Sequence, residues 1–464
     1  MLHYQIYLAV VIFIATYILI VSERIHRTVA AFVGAAIIIL AGIIPSDKAA
    51  GFIDWNTIGL LVGMMIIVGV TRETGIFEFL AIRAAQAAKG HPLAILSSLA
   101  FVTAFVSAFL DNVTTVLLIV PVTFAIARKL DLNPMPFLVA EIIASNVGGT
   151  ATLIGDPPNI MIGSATRLGF MDFIVNLAPV VILIQIVTVF LLELIYRKDL
   201  YISLDRRNRI FEFDARAEIK DYHLLRKSLI VLGLVIAGFL LHQYLHIESM
   251  VVALSGAALL LLVTRTDPER PLNAVEWPVI FFFIGLFLLV GALERVGVIS
   301  LLARLSLEAT HSATIMSGML ILWLSALSSA FIDNIPFVAT MIPLIKEMGR
   351  LGHIQNLNFL WWCLSLGACL GGNGTIIGAS ANVVVAGIAE KRGLLISFIG
   401  YMKVAFPLML VSIVISSGYM FLWAFLPTIL AAAITLSAAI ILYLILLLSR
   451  RSTIEPGDKD ADTH

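Results

Sequence analysis

Ser107-Ala108-Phe109-Leu110-Asp111-Asn112, followed by Pro121, is written a second time as Ser329-Ala330-Phe331-Ile332-Asp333-Asn334, followed by Pro343. Farther along, Gly148-Gly149-Thr150-Ala151-Thr152-Leu153-Ile154-Gly155 returns as Gly371-Gly372-Asn373-Gly374-Thr375-Ile376-Ile377-Gly378. One register holds throughout: Asp111 aligns with Asp333, Trp55 with Trp277 and, a single position farther on, Gly148 with Gly371. The third apolar run of each half also ends on a mirrored charge pair, Arg72-Glu73 and Glu294-Arg295. Apolar sequence repeats single Gly or Leu positions by chance, but not aligned Asp-Asn pairs with a matching downstream proline. The chain is a duplication, and its shared features are polar breaks inside apolar stretches. Such breaks at membrane depth point to a secondary transporter whose site lies between two repeats.

Composition agrees. Of 464 residues, 60% are hydrophobic and 13% charged, and the mean hydropathy is +1.02. A soluble domain of this size would expose much of that apolar surface to water. Apolar runs of roughly 17–25 residues, long enough to cross a bilayer as helix, recur along the chain. The expected class is an all-α polytopic membrane protein. Zero net charge gives no basic surface for nucleic acid. Cys363 and Cys369, six apart, do not share a helix face and read as small packing residues, with a soft-ligand role for a metalloid as the alternative. The run Tyr4 to Val21 has no basic residue before it and no small-residue cleavage site after it, so it reads as a retained helix.

The runs divide into repeat 1 (1–195), a cytoplasmic linker (196–226), repeat 2 (227–424), an extra transmembrane helix (425–450) and a polar tail (451–464) that is expected to be disordered. Each repeat has five spans and one re-entrant hairpin. The hairpins fall at 92–127 and 313–348, and the broken helices at 136–165 and 358–389. An odd number of crossings turns the second repeat upside down. The connector carries Arg197, Lys198, Arg206, Arg207, Arg209, Arg216, Lys220, Arg226 and Lys227, which places it in the cytoplasm. Counting from there puts the N-terminus outside and the C-terminus inside a plasma (inner) membrane, with Arg24 and Arg27 in an inner loop.

Backbone in hydrocarbon must satisfy its own hydrogen bonds, so non-helical turns survive there only against protein or a wet cavity. The hairpin tips, Asp111-Asn112-Val113-Thr114 and Asp333-Asn334-Ile335-Pro336, and the two glycine-rich breaks are such turns. Pro157 and Pro158 restart the helix after the first break. The amides and hydroxyls of Asn112, Thr114, Asn146, Thr152, Asn159, Asn334, Asn373, Thr375 and Asn382 both donate and accept, which suits a polyhydroxylated solute or an oxyanion. Gly148, Gly149 and Gly372 can turn backbone groups inward. Asp111, Asp333, Asp156 and Glu141 are the proton-coupling candidates, since a carboxylate at this depth costs at least about 2.5 kcal/mol. A lone Asp-Asn at a turn would read as simple capping. Its duplication in membrane sequence favours function. Glu141 and Asp156 have no acidic counterparts, Leu364 and Ala379 standing there, so the halves are expected to do different work. His242 alone among the histidines lies inside a helix, which argues against a histidine relay.

At the two tips, at Gly148 to Asn159 and at Cys369 to Asn382, the chain resembles the ion transporter superfamily. The branch it is most similar to holds ArsB-type arsenite permeases and the melanosomal P protein. The resemblance implies inverted repeats, re-entrant hairpins, and a scaffold beside a moving transport domain. Related dicarboxylate carriers have Ser-Asn-Thr at the tips. Aspartates there would repel a dianion and favour a neutral or cationic substrate, or protons.

The function expected is efflux of arsenite or antimonite in exchange for protons. A sodium/proton antiporter, or an organic or inorganic anion carrier, is the alternative. An intramembrane protease using Asp111 and Asp156 would want two facing acids, but Leu153-Ile154-Gly155-Asp156 lacks the Gly-x-Gly-Asp pattern and the duplication would go unexplained. No cofactor or metal motif and no P-loop is present. The expected partners are lipid, the inorganic solute, and protons or sodium, with a homodimer and a separate ATPase subunit as further candidates.

Overall fold

The computed structural model describes residues 2–22, 24–200, 202–352, 354 and 356–454. Every regular element among them is helical. In the first half these are α1 (Leu2–Ser22), α2 (Arg27–Leu40), α3 (Trp55–Arg72), α4 (Ile76–Ala87), α5 (Pro92–Ser107), α6 (Asn112–Leu130), α7 (Met135–Gly149), α8 (Pro157–Thr166) and α9 (Phe170–Tyr196). The second half repeats that order as α10 (Tyr222–Leu245), α11 (Ser249–Thr264), α12 (Trp277–Arg295), α13 (Val298–Ala309), α14 (Thr314–Phe331), α15 (Asn334–Gly352), α16 (Leu357–Gly371), α17 (Ser380–Lys391) and α18 (Phe398–Phe425). A last helix, α19 (Thr428–Ile454), has no counterpart. The start of the polar tail thus continues α19, and 455–464 lie outside the described residues.

The short amphipathic helices α4 and α13 went unread in the sequence. Each follows a glycine in the left-handed region, Gly75 at φ 79° and Gly297 at φ 85°. These two glycines occupy equivalent positions in the register of the repeat. A side chain at Gly75 would also strike the Glu218 carbonyl of the linker. The linker is pinned beside this turn by Lys220 N–H donating to Thr74 O at 3.0 Å. It also meets the end of α6, where Lys129 holds the Glu212 carboxyl below its ordinary range.

Nine helices among the described residues are long and apolar enough to cross a membrane. Lipid supplies little hydrophobic drive between such helices, so close contact through small residues takes over. The halves do this reciprocally. A β-carbon on Gly63 of α3 would lie 2.6 Å from the Ala253 carbonyl carbon of α11, and one on Gly285 of α12 would lie 2.8 Å from that of Ala31 in α2. Gly63 aligns with Gly285, and Ala31 with Ala253. Likewise α8 packs on α15 while α17 packs on α6. This exchange in both directions is the product of a two-fold relation between halves. Hairpins α5–α6 and α14–α15 are each packed on the broken helix of their own half.

Candidate functional site

Each hairpin turns on its aspartate. Asp111 caps α6, its Oδ1 accepting from Thr114 N–H at 2.9 Å and its Oδ2 from the Thr114 hydroxyl at 2.5 Å. Asp333 accepts from Ile335 N–H at 3.0 Å. The capping reading and the functional one therefore describe the same turn. The following asparagines point inward to a common acceptor. Asn334 donates to Asp156 Oδ2 at 3.3 Å, and Asn112 reaches Asp156 Oδ1 at 3.5 Å. Both tips thus converge on one carboxylate at the restart of the first broken helix.

Behind them runs a chain of amides. Asn112 donates to Asn146 Oδ1 at 2.9 Å, and Asn146 donates to Asn373 and Asn382, each at 2.9 Å. Asn146 and Asn373 thereby join the two breaks across the pseudo-two-fold. Asn373 Nδ2 is buried and has no hydrogen-bond partner.

The breaks are braced alike. Asn159 donates to the Thr150 and Thr152 carbonyls at 3.1 and 2.9 Å, and Asn382 to those of Gly372 and Thr375 at 2.8 Å. The Thr152 and Thr375 hydroxyls are committed to the hairpin carbonyls of Ala108 and Ala330. Gly148 faces the Ala104 backbone of α5, while Gly149 and Gly372 face the Gly155 and Gly378 carbonyls. These threonines and glycines, with Asn159, Asn382 and Thr114, are engaged in bracing the frame. Glu141 is buried against the Thr123 hydroxyl and stands outside the cavity lining. The two cysteines are free and buried, and Cys369 sits 3.6 Å from Asn159 Oδ1.

The tips enclose a cavity of about 100 Å³ lined by Asp111, Asn112, Asp156, Glu276, Asn334 and Arg27 among others. Sequence reading missed two of these. Arg27, taken as a loop charge, reaches Asp333 Oδ2 at 2.7 Å and the Ser380 hydroxyl at 2.6 Å. Ser380 also donates to Asp333 at 2.9 Å. Asp333 is therefore tied to a fixed cation, unlike Asp111. Glu276 precedes α12 and aligns in the repeat with Asp54, the cap of α3, which was the signal that could have found it. A wider cavity of about 270 Å³ continues past Arg27, Asp333 and Ser380 to His26.

The geometry is that of a duplicated carrier with its polar centre at the meeting of two hairpins and two broken helices. Residues 17–367 match the profile of the citrate transporter family, CitMHS. The chain belongs to that family. It is a multi-pass membrane transporter and not an enzyme. A Mycobacterium tuberculosis protein known as an uncharacterized transporter is 45% identical over 420 residues, covering 89% of this chain and 97% of its own. The P protein of Mus musculus is 36% identical over 501 residues, covering 90% of this chain and 60% of that protein, in keeping with the branch the motifs indicate. The crystal structure of the Alcanivorax borkumensis YdaH transporter superposes with a TM-score of 0.56 at 15% identity, over 81% of this chain and 87% of that one. That likeness concerns the fold alone.

Proposed function

We propose that the citrate transporter family member described here exchanges a small, uncharged hydroxylated solute for protons, with arsenous acid and its antimony analogue as the substrates and efflux as the direction. The observation that carries this reading is the lining of the central cavity. Three carboxylates (Asp111, Asp156 and Glu276), two carboxamides and Arg27, whose charge is paired with Asp333, face about 100 Å³, roughly the volume of three waters. Arsenous acid is neutral at pH 7 and offers three hydroxyls to those acceptors. Citrate is several times larger and carries charge of the same sign as the three carboxylates of the lining, while the one cation there, Arg27, is already paired with Asp333. A carboxylate freed of its proton can accept from the solute's hydroxyls, so proton and solute compete for one oxygen, and competition at one site is what exchange needs.

Orientation follows from the basic connector, with N-terminus outside and C-terminus in the cytoplasm. Protons moving inward down their gradient then drive solute out of the cell across its inner membrane.

The test uses everted membrane vesicles loaded by an imposed pH gradient. Arsenite uptake should follow the gradient, stop when it is collapsed, and fall at least tenfold in Asp156→Asn. Uptake indifferent to the gradient would sink the exchange. The same carboxylate lining also suits sodium/proton antiport. That second reading is favoured instead if sodium dissipates the pH gradient while arsenite does not.

A further inference from the structure

Where α10 turns into α11, at the end of the bundle opposite the basic linker, a cavity of about 550 Å³ opens between that corner, the start of α3 and the end of α8. Its polar side chains are held in fixed orientations, each with one group left over. His242 is 7% exposed, and its Nδ1 lies 2.7 Å from the Phe239 carbonyl. A carbonyl only accepts, so Nδ1 carries the proton and the neutral ring presents Nε2 as an acceptor. Asn56 accepts from Met250 N–H at 2.9 Å through its Oδ1, which leaves Nδ2 as a donor. Ser249, 8% exposed, adds a hydroxyl. Among the described residues none of these three atoms has a hydrogen-bond partner. Nor does any of them belong to the buried polar atoms shut off from solvent, so all three open into the cavity that they line.

Arg167 completes the set from the end of α8. Its carbonyl accepts from Gln243 Nε2 at 3.4 Å, while its guanidinium pairs with no acid or acceptor among the described residues. The duplication does not require this arrangement. In the register of the repeat, Asn56, Arg167, His242 and Ser249 align with Pro278, Glu390, Ile20 and Arg27. Buried polar groups that a fold needs are paired within it, and these are left open in one half only. Three donors, one of them a cation, suit the oxygens of an anion. The single acceptor, His242 Nε2, asks for a hydrogen on that same ligand. Glu248, on the exposed rim of the cavity, asks for it too, since a carboxylate accepts from a hydroxyl and repels a bare anion.

We propose that this corner is a binding site for a small oxyanion that keeps a hydroxyl, such as hydrogen phosphate. Its bare oxygens accept from Asn56, Ser249 and Arg167, and its hydroxyl donates to His242 Nε2. Sulfate in neutral water has no hydroxyl, and a lipid phosphodiester has none on its phosphorus, so each sets an oxygen lone pair against that nitrogen. The occupant ties α8, which follows the first break, to α3, α10 and α11. The site shares no lining residue with the polar cavity at the hairpin tips, and it does not depend on which solute is exchanged.

The test titrates the full-length protein in phosphatidylcholine nanodiscs at pH 8 with inorganic phosphate or sulfate at matched ionic strength, reading the unfolding midpoint. Both anions stabilise proteins without saturating by exclusion from their surfaces, so the saturable part of the shift is the signal. Phosphate, which keeps one hydroxyl at pH 8, should saturate with an apparent Kd about tenfold tighter than sulfate, as expected for a hydrogen bond to a charged ligand. Arg167→Gln should weaken phosphate by about tenfold or more. His242→Gln with Glu248→Gln, whose amides donate as readily as they accept, should bring the two anions to near-equal affinity. A shift that never saturates, equal affinity of phosphate and sulfate for the wild type, or a phosphate preference unchanged in the double variant would each overturn the proposal. Should the double variant fail to fold, undiminished phosphate binding by Arg167→Gln overturns it alone.

Discussion

Arg27 and Asp333 show what one residue does in a membrane interior. The Asp333 side chain is 13% exposed and that of Arg27 26%, so neither is fully hydrated and each depends on the other. Removing one partner strands the second, whereas removing both leaves two neutral side chains. Arg27→Gln and Asp333→Asn should each destabilise the protein by about 2 kcal/mol. The double variant should lose less than the sum of the two, as read from unfolding midpoints in detergent. Additive losses would mean that the pair does not act as one. The aspartate was legible in the sequence because it stands in a repeated turn motif. Its arginine was not, since no local pattern links the start of α2 to a hairpin in the other half of the chain. The amide chain was legible only as a set of residue types: which asparagines line the cavity and which brace backbone was decided by packing.

Elements meet in this fold through absent side chains. A β-carbon on Gly148 would come within 2.1 Å of Ala104 O, and one on Gly371 within 2.5 Å of Ala326 O. Both contacts are with backbone, which cannot step aside as a flexible side chain can. Gly148→Ala must therefore push α5 away from α7, and Gly371→Ala must push α14 from α16. Overpacking of this kind costs about 1–3 kcal/mol, and each variant should show a lowered unfolding midpoint together with lost transport. A Gly148→Ala protein of normal stability and activity would show that the hairpin does not lie on the broken helix. The repeated Gly-Gly motifs point to the breaks, and the repeated Asp-Asn turns to the hairpins. What they did not disclose was α4 and α13. Those helices are only 12 residues long and mix charged with apolar positions, so a reading tuned to bilayer-length runs passes over them.

The molecule as a whole is two interlocked halves, and α1–α3 with α10–α12 meet the hairpin-bearing remainder through polar joints as well as apolar ones such as the buried Phe170–Phe239 stack. Tyr17 donates to the Pro336 carbonyl at 2.7 Å, and Arg27 holds Asp333. Across the pseudo-two-fold, Ser164 of α8 donates to Asp54 Oδ1 at 2.7 Å, and Gln243 to Asp172 Oδ2 at 2.7 Å. Polar joints of this sort can break and re-form as one body slides on another. If transport requires such a slide, fixing one joint should stop it without disturbing the cavity. Thiols at positions 54 and 164, introduced as Asp54→Cys and Ser164→Cys after Cys363→Ala and Cys369→Ser, stand where two side chains already touch. Mercuric ion should bridge them. Transport in vesicles should then fall at least tenfold on adding mercury and recover with a dithiol, while either single-thiol protein is unaffected. Transport that continues through a bridged pair would mean that α3 and α8 travel together, and the moving boundary would have to be drawn elsewhere in the bundle.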